Sequence, residues 1–168
     1  TYALHWPFYQ YETARNKMQS PIHHVLADQG ACFGEVGGYE RPNWFALDGA
    51  EAKYHYSYKR QNWFDFYAGE HIAVRENVGI YDISSFGKFE ISGPDAEKSL
   101  QKICGGDMSV EAGSLIYTQW LNERGGIEAD VTVSKMAADR FLITTGIGSL
   151  YRDTWYLKKQ LQGDVTLK

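Results

Sequence analysis

The sequence predicts an α+β fold with an antiparallel sheet and flanking helices, and three observations support this prediction. Between residues 114 and 145, three segments in which apolar and polar residues alternate follow one another closely. The first two are separated by residues 122–126 (NERGG), which form the kind of tight turn that joins antiparallel strands. Apolar residues at helical spacing occur on both sides of this group.

Four segments are predicted to be helices. Residues 20–21 (SP) provide an N-cap followed by proline at the first helical position, and Gly30 provides a C-cap. Proline followed by acidic residues likewise favours a helix that begins at Pro94. The other two helices rest on apolar residues spaced i, i+4, i+7 and i+11. The predicted helices cover residues 21–29, 63–79, 94–103 and 148–161.

The predicted strands cover residues 88–92, 114–121, 127–136 and 140–145, and a further strand begins at residue 164. In the segment that ends at residue 136, Val131 and Val133 share one face, whereas Glu128 and Asp130 share the other. An aspartate in a strand rich in β-branched residues is unfavourable unless it is hydrogen-bonded or functional. The pattern alone leaves two readings of Asp130 open, a functional carboxylate and a solvent-facing side chain on an edge strand.

Composition excludes several classes of function. The 168 residues include 17 basic and 21 acidic side chains, a formal charge of −4, and no long basic run, which argues against a nucleic-acid or anionic-membrane partner. No apolar run approaches the ~20 residues that cross a bilayer. Two cysteines form no disulfide framework, which favours a cytoplasmic or organelle-matrix location over secretion. The spacing of His23, His24 and His71 matches no common zinc pattern, so we predict no metal site.

The first part of the chain is rich in glycine and aromatic residues. Residues 37–45 (GGYERPNWF) are interpreted as an ordered turn with aromatic packing, and residues 46–62 as an exposed connection. The aromatic side chains before residue 46 carry too much apolar surface to leave in water at ~25 cal/mol per Å². We therefore expect an ordered segment in which the following residues pack: Trp6, Phe8, Phe33, Trp44 and Phe45.

Two groups of motifs resemble a known family when taken in this order. Residues 20–23 (SPIH), 30–34 (GACFG) and 38–45 (GYERPNWF) resemble the central segment of the flavin-dependent dimethylglycine and sarcosine dehydrogenases. Residues 78–84 (VGIYDIS), 93–96 (GPDA) and 121–130 (LNERGGIEAD) resemble the start of the aminomethyltransferase, or glycine-cleavage T-protein, fold. The resemblance implies a linker segment over 1–45, a connection over 46–62 and the N-terminal part of a folate-binding domain over 63–168. It also implies that the chain is a fragment of such an enzyme.

The resemblance further implies a tetrahydrofolate site. Asp130 matches the family aspartate that contacts the folate ring and is the candidate catalytic residue, and Tyr117 matches a tyrosine that packs on the folate. Gly146, preceded by Thr145, stands where the plain aminomethyltransferases have an asparagine at the end of the next strand, and these two residues complete the candidate folate-binding set.

In this family, a methylated amine is oxidised to an iminium on FAD, and tetrahydrofolate takes the one-carbon unit to form 5,10-methylenetetrahydrofolate. The chain has no G-x-G-x-x-G loop, so we expect no flavin on it and expect its partner to be the FAD domain of the same parent protein. A homodimer through the aromatic segment is a further expectation. The alternative function is a non-catalytic, regulatory or structural relative with the same fold.

Overall fold

A computed structural model describes residues 10–168, and the chain divides into two compact units, of which the first ends at Ser85 and the second covers Phe86–Lys168. Trp6 and Phe8, which we expect to pack in an aromatic segment, lie outside the described residues. The described part of the first unit contains helices α1 (His23–Asp28) and α2 (Phe64–Glu76) and strands β1 (Ala31–Val36) and β2 (Tyr39–Phe45).

Strands β1 and β2 form an antiparallel hairpin, where the sequence analysis expected only an ordered turn. Gly37 and Gly38 form the turn with φ of 61° and 89°, as a two-residue hairpin loop requires. Pro42 has no N–H for the ladder, and the register shifts beside its partner Phe33. The Gly-Gly pair was the sequence signal for this hairpin. Pro42 argued against it, because proline is unfavourable inside a strand.

Aromatic packing supports the first unit. Trp44 is 1% exposed and stacks on Phe66 of α2 with ring centroids 5.5 Å apart. Tyr54 and Tyr56 belong to the connection between β2 and α2, and both meet the Trp63 ring edge-on at 4.8 and 6.0 Å. The connection contains no helix or strand, yet its tyrosines are part of the aromatic cluster.

A single antiparallel sheet organises the second unit, and it confirms the predicted fold class. The strands are β3 (Gly87–Ser92), β4 (Leu115–Leu121), β5 (Ile127–Ala137), β6 (Arg140–Thr145) and β7 (Thr166–Leu167), in the spatial order β4-β5-β6-β3-β7. The helices are α3 (Ala96–Ile103) and α4 (Leu150–Gln160), with a short 3₁₀ turn at Ile147–Ser149 before α4. Each predicted strand and helix of this unit is present within a few residues of its expected bounds.

The helices cover one face of this sheet. Leu100 of α3 and Leu157 of α4 are fully buried in the same core as the inward-facing strand residues, among them Ile91, Val133 and Ile143. Along β5, buried residues alternate with exposed or half-buried ones. Because successive side chains of a strand point to opposite faces, the other face of the sheet remains open and carries polar side chains.

Candidate functional site

The turn between β4 and β5 fixes the register of the strands that carry the candidate site. The Asn122 side-chain Oδ1 accepts hydrogen bonds from the backbone N–H groups of Arg124 and Gly126 at 3.0 and 2.9 Å. Its Nδ2 donates to Glu128 Oε1 at 2.8 Å, and Gly125 adopts a φ of 76°. The register that follows places Gln119 directly opposite Asp130 and Tyr117 opposite residue 132.

Asp130 lies on the open face of the sheet, where it accepts two hydrogen bonds from β4. The Tyr117 hydroxyl donates to Oδ2 at 2.7 Å, and the Gln119 Nε2 donates to Oδ1 at 3.1 Å. Strand β5 lies between β4 and β6, so Asp130 is not on an edge strand. The structure therefore contradicts the edge-strand reading, while it leaves the carboxylate accessible to a ligand.

The Tyr117 ring is 70% exposed on the same face. Its hydrogen bond to the Asp130 carboxylate raises the pKa of Tyr117, because the proton that makes the bond is lost on ionisation. The neutral phenol is therefore the form present at physiological pH. An exposed aromatic ring held by its hydroxyl is suited to stacking against a planar ligand.

Thr145 does not join this group through its side chain. It is 2% exposed on the helix-covered face, and its hydroxyl donates to Oδ2 of Asp153, which is itself buried. Arg152 donates to the other oxygen of Asp153 from Nε at 2.9 Å and from Nη2 at 2.8 Å. The sequence analysis includes Thr145 in the candidate folate-binding set; this is corrected for its side chain, because alternation along β6 directs that side chain into the core.

Thr144 lies near the end of β6, and Gly146 follows the last residue of that strand. Thr132 of β5 pairs with Thr144, and this is the last pair of the β5–β6 ladder toward Asp130. The same antiparallel register continued by two residues would bring Gly146 opposite Asp130. A Cβ placed on Gly146 would meet nothing nearer than Ser149 Oγ at 3.8 Å, which leaves room for a ligand to approach the backbone. Thr144 is half-buried on the open face, and sequence reasoning missed it.

The signal for Thr144 was available in the sequence. Phe141 and Ile143 are apolar and point to the core, so alternation assigns Thr145 to their face and Thr144 to the opposite one. The candidate site combines the Asp130 carboxylate with the aromatic ring of Tyr117. Such a surface accepts hydrogen bonds from N–H groups and stabilises positive charge that develops on a bound ligand.

Comparisons with known proteins place this fold in the aminomethyltransferase class. The crystal structure of glycine cleavage system aminomethyltransferase T from Bartonella henselae is similar with a TM-score of 0.72 and 24% identity, over 89% of this chain and 37% of that one. The family described as GCVT N-terminal domain matches residues 22–168. The chain therefore belongs to the GCVT N-terminal domain family.

Curated relatives connect the chain to amine oxidoreductases. It is 47% identical to 4-methylaminobutanoate oxidase (formaldehyde-forming) of Paenarthrobacter nicotinovorans over 96% of the chain. Mitochondrial sarcosine dehydrogenase of Mus musculus is 34% identical over 81% of the chain. The mitochondrial pyruvate dehydrogenase phosphatase regulatory subunit of the same species is 32% identical over 99%. The chain spans 20%, 17% and 20% of these proteins, about a fifth of their length.

Among residues 10–168, no helix has both the length and the apolar character that a membrane crossing requires.

Proposed function

We propose that this chain is the tetrahydrofolate-binding part of a protein similar to sarcosine and dimethylglycine dehydrogenases, in which a one-carbon unit from an N-methyl amine is accepted as 5,10-methylenetetrahydrofolate. The observation that carries the proposal is the Asp130 carboxylate, held by Tyr117 and Gln119 on the open face of an aminomethyltransferase-type sheet. The similarity to amine oxidases and dehydrogenases supports the reaction class.

The residues of the open face fit a reduced pterin. Its pyrimidine ring is planar, and the ring system bears N–H donors. Tyr117 offers an exposed ring for stacking, and Asp130 offers carboxylate oxygens for the donors. When bound, tetrahydrofolate supplies the nucleophilic nitrogen that takes the one-carbon unit. Asp130 orients the N–H group at that nitrogen, accepts its hydrogen bond and stabilises the positive charge that develops there.

The proposed partner of this chain is an FAD-containing domain of the same parent protein. FAD would supply oxidation of the methylated amine, and the 168 residues contain no G-x-G-x-x-G loop for its pyrophosphate. Among the described residues, the charged group in contact with Tyr117 is the acidic Asp130, which suits an amine-bearing ring better than a pyrophosphate. A cytoplasmic or mitochondrial-matrix location is part of the proposal, in keeping with the mitochondrial relatives.

Calorimetric titration with anaerobic tetrahydrofolate tests the proposal. We expect the protein that carries this chain to bind the ligand and Asp130→Asn to weaken binding by about 10-fold or more, because a hydrogen bond to a charged group is worth about 1.5–3 kcal/mol. Asp139→Asn makes the same charge change in the β5–β6 turn and is expected to bind as the unchanged chain does. Equal binding by the two variants would contradict the assignment of Asp130.

A non-catalytic role is the second candidate, and the similarity to a phosphatase regulatory subunit favours it. The two functions differ in a measurable product. If the protein that carries this chain binds tetrahydrofolate but yields no methylenetetrahydrofolate from any of a panel of N-methyl amines that includes sarcosine, dimethylglycine and 4-methylaminobutanoate, the regulatory function is supported instead.

A further inference from the structure

Asp130 has a second hydrogen-bond donor whose role the proposed function does not yet explain. Gln119 is the direct cross-strand partner of Asp130, and its Nε2 donates to Oδ1 at 3.1 Å. Tyr117 lies two residues away on the same face of β4 and donates to Oδ2. The carboxylate is therefore held through both oxygens from one neighbouring strand.

The backbone at Gln119 is itself anchored at the outer edge of the sheet. Its carbonyl accepts a hydrogen bond from the Gly105 N–H at 2.9 Å, and the Gly106 N–H donates to Thr118 Oγ1 at 2.8 Å. Trp120, the next residue, is fully buried. The backbone of β4 is thus hydrogen-bonded along both of its edges. A side chain that projects from such a strand is well suited to hold a neighbouring group in one orientation.

We propose that Gln119 is a positioning residue that fixes the plane of the Asp130 carboxylate toward the N–H group of a bound tetrahydropterin. The inference rests on the proposed function. With Tyr117 as the only donor, the carboxylate would be free to turn about its single held oxygen, whereas a donor on each oxygen removes that rotation. Because the Gln119 amide is neutral, the full negative charge of Asp130 remains available to the ligand. A lysine or arginine at this position would offset that charge.

The three side chains form one network, and this provides a readout without a ligand. The Gln119 amide lowers the pKa of Tyr117, in opposition to the larger effect of Asp130, which raises it. Removal of the amide is therefore expected to raise the pKa of Tyr117 further. A residue that only filled space would not have this effect.

The test is Gln119→Met, which keeps the length of the side chain and removes the donor. We expect tetrahydrofolate affinity to fall about 3- to 10-fold, as for one net hydrogen bond. The matched control Ser134→Ala, on the same face but opposite Leu115, is expected to leave affinity unchanged. Gln119→Leu is a second variant that must reproduce the loss, and circular dichroism of both variants verifies folding.

A double-mutant cycle separates positioning from direct contact. In an Asp130→Ala background there is no carboxylate to position, so Gln119→Met is expected to cost nothing further. If Gln119→Met lowered tetrahydrofolate affinity equally in that background, Gln119 would contact the ligand itself. If Gln119→Met alone left the affinity unchanged, Gln119 would have no role in binding. Either result overturns the inference. If the unchanged protein that carries this chain fails to bind tetrahydrofolate, the proposed function fails instead. The Tyr117 titration, measured by NMR, then still decides whether Gln119 belongs to the network.

Discussion

The hydroxyl of Tyr117 on β4 donates a 2.7 Å hydrogen bond to Asp130 on β5 across the open face of the sheet. Tyr117 is opposite Thr132 in the register, so the bond runs diagonally and draws the ring toward the end of β5 that follows the turn. This one contact places an aromatic surface and a carboxylate within reach of the same small ligand.

The first prediction concerns the titration of Tyr117. The bond to Asp130 is the largest cause that raises the pKa of this phenol, so Asp130→Asn is expected to lower it toward its ordinary value of 10.0. NMR of ¹³C-labelled tyrosine between pH 8 and 12, with Tyr117→Phe to assign the signal, measures the change. An unchanged titration would show that the bond does not form in solution. Because the folded-state pKa is raised, its contribution to stability is present below pH 10.0 and is lost as the pH rises through the raised value.

The second prediction separates the ring of Tyr117 from its hydroxyl. Tyr117→Phe keeps the stacking surface, so tetrahydrofolate affinity is expected to fall only about 2- to 5-fold, from the loss of one hydrogen bond to the carboxylate. Tyr117→Ala also removes the ring and is expected to cost about 10-fold or more. Calorimetry compares the two variants. Equal losses in both would assign the whole effect to the hydroxyl and would exclude stacking by this ring.

The sheet was predictable from the sequence because one face of it is a core. Alternation correctly separated Val131 and Val133 from Asp130, and the turn that begins at Asn122 predicted the antiparallel pairing of β4 with β5. The hairpin of β1 and β2 was missed because proline inside a strand argues against that assignment, and only the bulge beside Phe33 accommodates it.

The candidate site was predictable in part. Family resemblance identified Asp130 and Tyr117, and the structure brings them together. The contribution of Gln119 depends on a side-chain hydrogen bond that no sequence pattern specifies. Thr145 was assigned to the candidate folate-binding set because it precedes Gly146. Alternation along β6 instead directs its side chain into the core.

The third prediction uses two consecutive threonines whose side chains point to opposite faces of β6. Thr145→Val leaves the buried Asp153 without the hydroxyl that donates to it, so we expect a loss of about 1.5–3 kcal/mol in the free energy of unfolding. Thr144→Val on the half-exposed face is expected to change it by no more than ~0.5 kcal/mol. Urea unfolding of both variants makes the comparison. Similar losses would place the two side chains in similar environments, contrary to the structure.

The fourth prediction concerns the first unit and its response to acid. Glu40 is buried in β2, where its carboxylate accepts hydrogen bonds from Arg15 Nε at 2.8 Å and Nη2 at 2.6 Å and from the Asn16 N–H at 2.6 Å. The hydrogen bonds from Arg15 are the largest cause that lowers the pKa of Glu40 below 4.5. A lowered pKa in the folded state means that the stabilisation is present above pH 4.5 and is lost as the pH falls through the lowered value.

Glu40→Gln is therefore expected to destabilise the β1–β2 hairpin at neutral pH. This destabilisation, relative to the unchanged chain, is expected to decrease as the pH falls below 4.5. Arg15 would be left with a neutral partner, and a loss of about 2 kcal/mol corresponds to about 30-fold lower amide protection in the hairpin. Hydrogen exchange followed by mass spectrometry over peptides from β1 and β2, corrected for intrinsic rates at each pH, measures this protection. Glu12→Gln removes the same charge from an exposed position and is expected to leave the protection unchanged at every pH. If the difference in amide protection between Glu40→Gln and the unchanged chain grew as the pH fell, the pH dependence would be the opposite of the one expected. Such a result would contradict the ion pair between Glu40 and Arg15.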